Sequence, residues 1–123
     1  MERVTGVGGI FLRARDATAL RAWYAEKLGI EINPEFEGAI FTGGDSPLIW
    51  AVFPSDTEYF GSHHQMSMVN YRVHDLAAML AQLRAAGVDV EDDTDETPDG
   101  WFGWATDPEG NRFELWQPRP GED

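Results

Sequence analysis

Apolar and polar residues alternate along several short stretches of the chain, which is the period-two pattern of strands with two different faces. In the last such stretch, at 112–117, one face carries Glu114 and the other carries Phe113 and Leu115. The sequence Asp-Pro-Glu-Gly-Asn at 107–111 precedes it, and proline and glycine in this order favour a chain reversal. The pattern therefore predicts a closing hairpin with one apolar face and one face that carries a carboxylate.

Two other stretches show apolar residues at helical spacing, each between an aspartate and a glycine. The first runs from Asp16 to Gly29 and the second from Asp75 to Gly87. Aspartate accepts hydrogen bonds from the first-turn amides of a helix, and glycine adopts the left-handed conformation that ends one. Each apolar stripe is expected to pack on a sheet. The stripe residues are Leu20, Trp23, Tyr24 and Leu28 in the first helix and Leu76, Met79, Leu80 and Leu83 in the second.

The pattern of strand, capped helix and further strands occurs twice. A shift of 59 residues places Ile10 on Val69 and Asp16 on Asp75. An internal repeat of this kind indicates two similar modules, each a βαβββ unit. We therefore predict one domain over 1–123, with modules at about 4–54 and 66–118 and a connector at 55–65. The predicted strands are 7–15, 30–33, 39–43 and 48–53, then one from 66, 88–90, 101–106 and 112–117, with a turn at 43–47.

Composition narrows the class of protein. At 123 residues with 42% hydrophobic residues, the chain has material for one folded domain, and it contains no cysteine for disulfides or thiolate metal sites. A net charge of −13 argues against a nucleic-acid partner, because phosphates attract lysine and arginine. The acidic run at 91–96 lacks the glycine spacing of a calcium loop and is predicted to be a solvated connector.

No apolar run approaches the ~20 residues that span a bilayer, and the start of the chain has no apolar stretch of signal-peptide type. We therefore predict a cytoplasmic protein with no membrane partner.

The segments GVGGIFLRARD, NYRVHD and DPEGNRFELW resemble the vicinal-oxygen-chelate superfamily, which includes glyoxalase I, bleomycin-resistance proteins and extradiol dioxygenases. The resemblance implies an α+β fold. In it, two βαβββ modules form a curved, incompletely closed eight-stranded mixed sheet, with helices outside and a ligand cleft on the concave face. It also implies a homodimer and, in the metal enzymes, a set of His, Glu or Gln ligands on the concave face.

Three of the four metal-ligand positions implied by the resemblance carry unsuitable side chains. They fall on Gly9, Trp50 and Met68, and the fourth falls on Glu114. Glycine has no side chain, an indole N–H only donates, and a thioether is a poor ligand for hard or borderline ions. We therefore predict no metal and no other cofactor. The alternative is a divalent ion held by His64 and Glu114.

Alternation places aromatic and polar side chains on the cleft side of the sheet. Glu114 is either a catalytic acid or base with a raised pKa, or a strand residue paired with Arg13 or Arg72. The two arginines could instead bind an anionic ligand group, and the aromatic residues either bind a planar or cationic ligand or fill the cleft. The predicted ligand-binding residues are Phe11, Arg13, Trp50, Met68, Asn70, Arg72, Trp104, Glu114 and Trp116.

Three functions follow from these residues and the resemblance. The preferred one is metal-free binding of a small planar, neutral or cationic organic molecule, similar in logic to the bleomycin-resistance proteins. The second is a lyase, isomerase or dioxygenase that acts on a small carbonyl compound through Glu114, with or without an unusual metal site. The third is a regulatory or structural domain whose cleft is filled by its own side chains.

Overall fold

The computed structural model describes residues 1–44 and 46–120, which form two helices and eight strands. Asp45, in the predicted turn at 43–47, lies outside the described residues. The elements are β1 (Val4–Ala14), α1 (Ala17–Leu28), β2 (Gly38–Phe41), β3 (Leu48–Pro54), β4 (Ser67–Val73), α2 (Leu76–Ala85), β5 (Asp89–Val90), β6 (Asp95–Thr97), β7 (Gly100–Thr106) and β8 (Arg112–Pro118).

The eight strands form one mixed sheet in the order β2-β3-β1-β4-β8-β7-β5, with β6 paired to β7. The central strands β1 and β4 are antiparallel, whereas β1 with β3 and β4 with β8 are parallel pairs. The order β1-β3-β2 on one side of the β1–β4 pair therefore matches the order β4-β8-β7 on the other, and the second half adds β5 and β6, which both pair with β7. This confirms the predicted α+β class with an eight-stranded mixed sheet that is not closed.

The predicted helix boundaries are confirmed by their caps. Asp16 Oδ1 accepts from the N–H of Ala19 at 3.0 Å, and Asp75 Oδ1 accepts from the N–H of Ala78 at 3.0 Å. Gly29 has φ of 70°, which ends α1 in the left-handed conformation. Among the described residues, no helix is long and apolar enough to cross a membrane.

The closing hairpin is also confirmed. Asp107 Oδ1 accepts from the N–H groups of Glu109 and Asn111, both at 2.9 Å, and Gly110 has φ of 88°. These bonds close the turn, so that β7 and β8 pair along their full length. The turn thereby sets the register that places Trp104 directly opposite Glu114.

Two strand predictions differ from the structure. The segment predicted as a strand at 30–33 makes only an isolated bridge between Asn33 and Gly38. The run predicted as a connector at 91–96 leads into β6, which pairs with β7. Strand β6 needs only backbone hydrogen bonds to pair, and its acidic side chains face solvent, so the hydrophobic pattern does not reveal it.

Only part of the apolar stripe of α1 packs against the sheet. Leu20 and Tyr24 pack against the sheet, but Trp23 and Leu28 are 50% and 63% exposed. The stripe of α2, in contrast, packs as predicted. The first helix therefore covers less of the sheet than the spacing of its apolar residues suggested.

Three apolar clusters form the core. Two lie between the helices and the sheet, one around Trp50 beneath α1 and one around Leu115 beneath α2. The third lies on the opposite face, which we call the inner face and which corresponds to the predicted cleft. Its buried members are Phe11, Phe60, Met68 and Trp104.

The connector at 55–65 crosses the inner face. Its Phe60 is completely buried and packs with Phe11, Met68 and Trp104 of the sheet. The inner face is therefore covered by the protein's own chain in this conformation.

Arg13 holds this connector in place. It lies on the inner face of β1 with only 6% of its surface exposed, and its guanidinium lies 5.1 Å from the centroid of the Phe60 ring. Four of its hydrogen bonds go to backbone carbonyls. The acceptors are Ser55 at 2.6 Å, Thr57 at 2.9 Å, Gln65 at 3.0 Å and Ser62 at 3.1 Å.

Arg13→Met should loosen the connector, because methionine keeps the apolar stem but removes every donor. We expect faster cleavage by chymotrypsin within 55–65 and a free energy of unfolding lower by about 2 kcal/mol or more, since hydrogen bonds to charged groups contribute about 1.5–3 kcal/mol each. Mass spectrometry of the fragments and urea unfolding measure the two effects. Arg15→Met, at an exposed position just past β1, is the control. Equal cleavage of the two variants would contradict this role of Arg13.

Candidate functional site on the inner face

Glu114 lies on the inner face of β8 with 1% of its surface exposed. Strand β8 places it in register with Asn70 of β4 on one side and Trp104 of β7 on the other. Residues that are directly opposite on paired strands share a face of the sheet. The alternation of β8 and its two neighbouring strands therefore brings these three side chains together.

Three donors converge on the carboxylate of Glu114. Asn70 Nδ2 donates to Oε1 at 2.6 Å, and Trp104 Nε1 donates to Oε2 at 2.9 Å. The hydroxyl of Tyr59, which belongs to the connector, also donates to Oε2. Both carboxylate oxygens are thus hydrogen-bonded, as a buried acid requires.

Burial raises the pKa of Glu114 above its ordinary value, while the hydrogen bonds from Tyr59, Asn70 and Trp104 act in the opposite direction. Burial and the neighbouring Glu114 also raise the pKa of Tyr59, so its hydroxyl keeps its proton and remains a donor. The site therefore contains a carboxyl group whose ionised form is disfavoured by its surroundings.

The ring of Tyr59 fills an aromatic pocket above Glu114. It stacks on Phe53 with the ring centroids 5.5 Å apart and the planes at 5°. It meets Phe11 and Trp104 edge-on, at 6.4 Å and 6.3 Å. These contacts and the hydroxyl bond together hold the phenol in one orientation.

An ion pair borders this pocket. Arg112 Nε and Nη2 bind the two carboxylate oxygens of Glu91 at 2.7 and 2.8 Å, which lowers the pKa of Glu91. Arg112 also donates to the backbone carbonyl of Tyr59, and its guanidinium lies 5.1 Å from the centroid of the Trp104 ring. The cation is thereby fixed at the edge of the site by two partners.

Most of the predicted cleft residues do lie on the inner face, although the connector covers them. Phe11, Met68, Asn70, Trp104 and Glu114 are buried there, and Trp116 stacks on Phe102 with centroids 5.7 Å apart. Their roles in binding or catalysis remain predictions.

The predicted position of Trp50 on this face is wrong. Trp50 is paired with Ile10 and packs under α1, where it meets Tyr24 edge-on at 5.1 Å. The prediction placed Trp50 in β3 opposite Glu114 in β8 by counting back four residues from Pro54 and Pro118, and the true register differs from that alignment by one residue. Because a shift of one residue reverses the face of a strand, the indole points to the helix. Ala51 occupies the place in β3 that Glu114 occupies in β8.

The two predicted arginines hold other parts of the chain. Arg13 binds the connector carbonyls rather than Glu114. Arg72 donates to the carbonyl of Pro47 at 2.5 Å, and its guanidinium lies 4.4 Å from the centroid of the Trp116 ring. Arg13 is therefore engaged in structural contacts that an anionic ligand would have to break.

Comparison with known proteins identifies the family. The profile of the Glyoxalase/Bleomycin resistance protein/Dioxygenase superfamily matches residues 6–115. The chain belongs to this superfamily. A comparison with curated protein sequences found no match.

Several solved structures have a fold similar to that of this chain. Methylmalonyl-CoA epimerase from Mycobacterium tuberculosis is 22% identical, with a TM-score of 0.65 over 95% of this chain and 90% of that one. A methylmalonyl-CoA epimerase in complex with methylmalonyl-CoA and NH4+ is 17% identical, with a TM-score of 0.69 over 98% of this chain and 99% of that one. A glyoxalase/bleomycin resistance protein/dioxygenase superfamily member from Vibrio splendidus 12B01 is 15% identical, with a TM-score of 0.57 over 95% of this chain and 99% of that one. At these identities the likeness shows the fold alone.

The inner face does not offer the ligands of a superfamily metal site. Within 1–44 and 46–120, no group of three or more His, Asp or Glu side chains is placed to hold a metal ion. Gly9, Met68 and Ala51 supply no oxygen or nitrogen ligand beside Glu114. His64, the alternative ligand, is exposed on the connector, whereas Glu114 is buried beneath Tyr59. The side chains present do not fit a divalent ion.

Sequence reasoning missed five residues of the site. Tyr59 and Phe60 were assigned to a connector, Phe53 and Arg112 to strands, and Glu91 to an acidic run, all without a role in the site. Arg112 could have been found, because it shares the face of Glu114 two positions away. The adjacent aromatic residues Tyr59 and Phe60, in an otherwise polar connector, were also a signal that this segment packs against an apolar surface.

Glu114→Gln should change how stability depends on pH. Because the pKa of Glu114 is raised in the folded state, the folded protein binds more protons, and this group lowers stability as pH rises from its unfolded pKa through its folded pKa. The free energy of unfolding of the variant minus that of wild type should therefore increase as the pH rises from about 4.5, the ordinary pKa of a glutamate, through the raised pKa of Glu114.

Urea unfolding at a series of pH values measures this difference. Glu109→Gln, at an exposed position in the hairpin turn, is the matched control and should show no such trend. A difference for Glu114→Gln that stays flat or decreases with pH would contradict the raised pKa.

Proposed function

We propose that this protein binds a small planar organic molecule over Glu114, without a catalytic metal. The observation that carries the proposal is the buried carboxylate of Glu114 at the end of a pocket that the rings of Phe11, Phe53 and Trp104 form around Tyr59. Aromatic walls bind flat molecules, and a carboxylate at the base binds a donor or a cation. The connector fills this space in the present conformation, as the third hypothesis expects, so a ligand has to displace part of it.

The charges around the site favour a neutral or cationic ligand. Glu114 supplies an acceptor at the base of the pocket, and the nearby cations Arg13 and Arg112 already bind connector carbonyls and Glu91. The net charge of −13 further disfavours anions. A neutral or cationic ligand that donates a hydrogen bond to Glu114 needs no free arginine and is not repelled by the negative charge.

A second candidate is a lyase or isomerase that acts on a small carbonyl compound without a metal. The observation that favours it is the burial of Glu114, which is 1% exposed, because burial raises the pKa of a carboxyl group and makes it a stronger base than an exposed one. The epimerases named above share this fold, and one is in complex with methylmalonyl-CoA. Binding comes first in our proposal because Arg13 is not available to hold an anionic substrate.

A homodimer is also part of the proposal. It rests on the superfamily resemblance and on exposed apolar side chains of β2, where Ile40 and Phe41 are 46% and 41% exposed. Strand β2 stands at one end of the sheet order, where a second chain can reach it.

Elemental analysis of the purified protein should find well under one transition-metal ion per chain, because Glu114 lacks partner ligands on the inner face. The measurement is inductively coupled plasma mass spectrometry after gel filtration. Roughly one zinc, nickel, manganese or iron ion per chain that is lost in both His64→Ala and Glu114→Ala would overturn this and support a metal enzyme.

Phenols and planar aromatic cations should bind more tightly than small anionic carbonyl compounds in isothermal titration calorimetry. Trp104→Phe should weaken binding by about tenfold, since it removes an indole wall and its hydrogen bond to Glu114. Trp101→Phe is the control, because Trp101 lies on the same strand but faces α2. Binding of the anions alone, or equal losses in the two variants, would contradict the proposed site.

A further inference from the structure

Tyr59 enters the inner face from the connector, not from the sheet. Its hydroxyl donates to Glu114, its ring stacks on Phe53 at 5.5 Å, and its edges meet Phe11 and Trp104. These are a hydrogen bond to the buried carboxylate and contacts with the aromatic walls. They are the same contacts that the proposed function assigns to a ligand.

The backbone around Tyr59 is held firmly. Arg112 binds the carbonyl of Tyr59 itself, and Arg13 binds the carbonyls of Thr57 and Ser62 on either side. The neighbouring Phe60 is fully buried. The connector is thus anchored by contacts that do not involve the Tyr59 side chain.

The side chain of Tyr59 is less confined than its backbone. The residue is 36% exposed, so part of it already reaches the surface. Rotation about its side-chain torsions would carry the ring outward and leave the backbone anchors in place. The space it vacates would open directly onto Glu114 and the Phe53 ring.

We propose that the Tyr59 side chain is a built-in substitute for the ligand, and that the ligand is a single-ring phenol or aromatic amine that takes its place. This inference rests on the proposed function and specifies its ligand class. The ring of the ligand would stack on Phe53, and its hydroxyl or amino group would donate to Glu114.

The surroundings of Tyr59 set the size and charge of this ligand. Phe60 of the connector and Met68 of the sheet are 0% and 1% exposed. Each closes the pocket on its own side. A fused-ring molecule would need Phe60 to move, and Phe60 lies beneath the guanidinium of Arg13. An anionic group at the inner end would face Glu114. A single ring with a donor is therefore preferred on both counts.

The test replaces Tyr59 by alanine and adds p-cresol, which has the same ring and hydroxyl group as the tyrosine side chain. Tyr59→Ala should bind p-cresol at least about tenfold more tightly than wild type, since the ligand no longer competes with a phenol that is hydrogen-bonded to a carboxylate. In the same variant p-cresol should bind about tenfold more tightly than toluene, which lacks the hydroxyl. Isothermal titration calorimetry measures the affinities, and the rise of the unfolding temperature with p-cresol gives a second readout.

Two further variants control for folding and for nonspecific cavities. Tyr59→Phe keeps the ring but removes the hydroxyl, so its affinity for p-cresol should lie between those of wild type and Tyr59→Ala. The gain of Tyr59→Phe over wild type can be measured even if the alanine variant does not fold. Tyr71→Ala removes a tyrosine from the opposite face, where it packs against Phe113, and should show no gain.

The outcomes separate this inference from the proposed function. If wild type binds planar aromatics but neither Tyr59 variant gains affinity for p-cresol, the substitute role is overturned and the binding function stands. If wild type and the Tyr59 variants bind none of the phenols or aromatic cations, both are overturned. Equal affinity of Tyr59→Ala for toluene and p-cresol would overturn the requirement for a donor.

Discussion

The arrangement of the inner face depends on one constraint, which is that a buried carboxylate must be hydrogen-bonded. Glu114 is 1% exposed, and a charged group left without partners at such a position would cost several kcal/mol. Asn70 and Trp104 satisfy it from the two neighbouring strands, and Tyr59 satisfies it from the connector. Glu114 therefore links β4, β7 and the connector through hydrogen bonds.

Arg13 and Arg112 hold the connector that lies over this acid. Arg13 binds the carbonyls of the connector, and Arg112 joins the carbonyl of Tyr59 to the carboxylate of Glu91. Because these cations have other partners, the pocket keeps an acceptor at its base. The superfamily fold is retained here without its usual metal ligands, which agrees with the general rule that a fold does not determine chemistry.

Local chemistry in the sequence was enough to predict the framework. Asp16 and Asp75 cap the helices because a carboxylate accepts from first-turn amides, and this needs no distant partner. The turn before β8 closes through bonds within five residues, and strand alternation then places Glu114 on the inner face. The caps, the turn and the alternation are each set by residues close together in the chain, so the sequence pattern revealed them. The internal repeat indicated two similar modules, and the arrangement of their strands in one eight-stranded sheet was implied by the superfamily resemblance.

The tertiary structure decided what depends on contacts between distant segments. The register of β3 against β1 turns Trp50 toward α1, and a single residue of offset, invisible in the alternation, reverses that face. Tyr59 reaches Glu114 across 55 positions because Arg13 folds the connector over the sheet. A connector has no periodicity from which its path could be predicted. The framework therefore follows from local sequence, and the filling of the pocket follows from long-range packing.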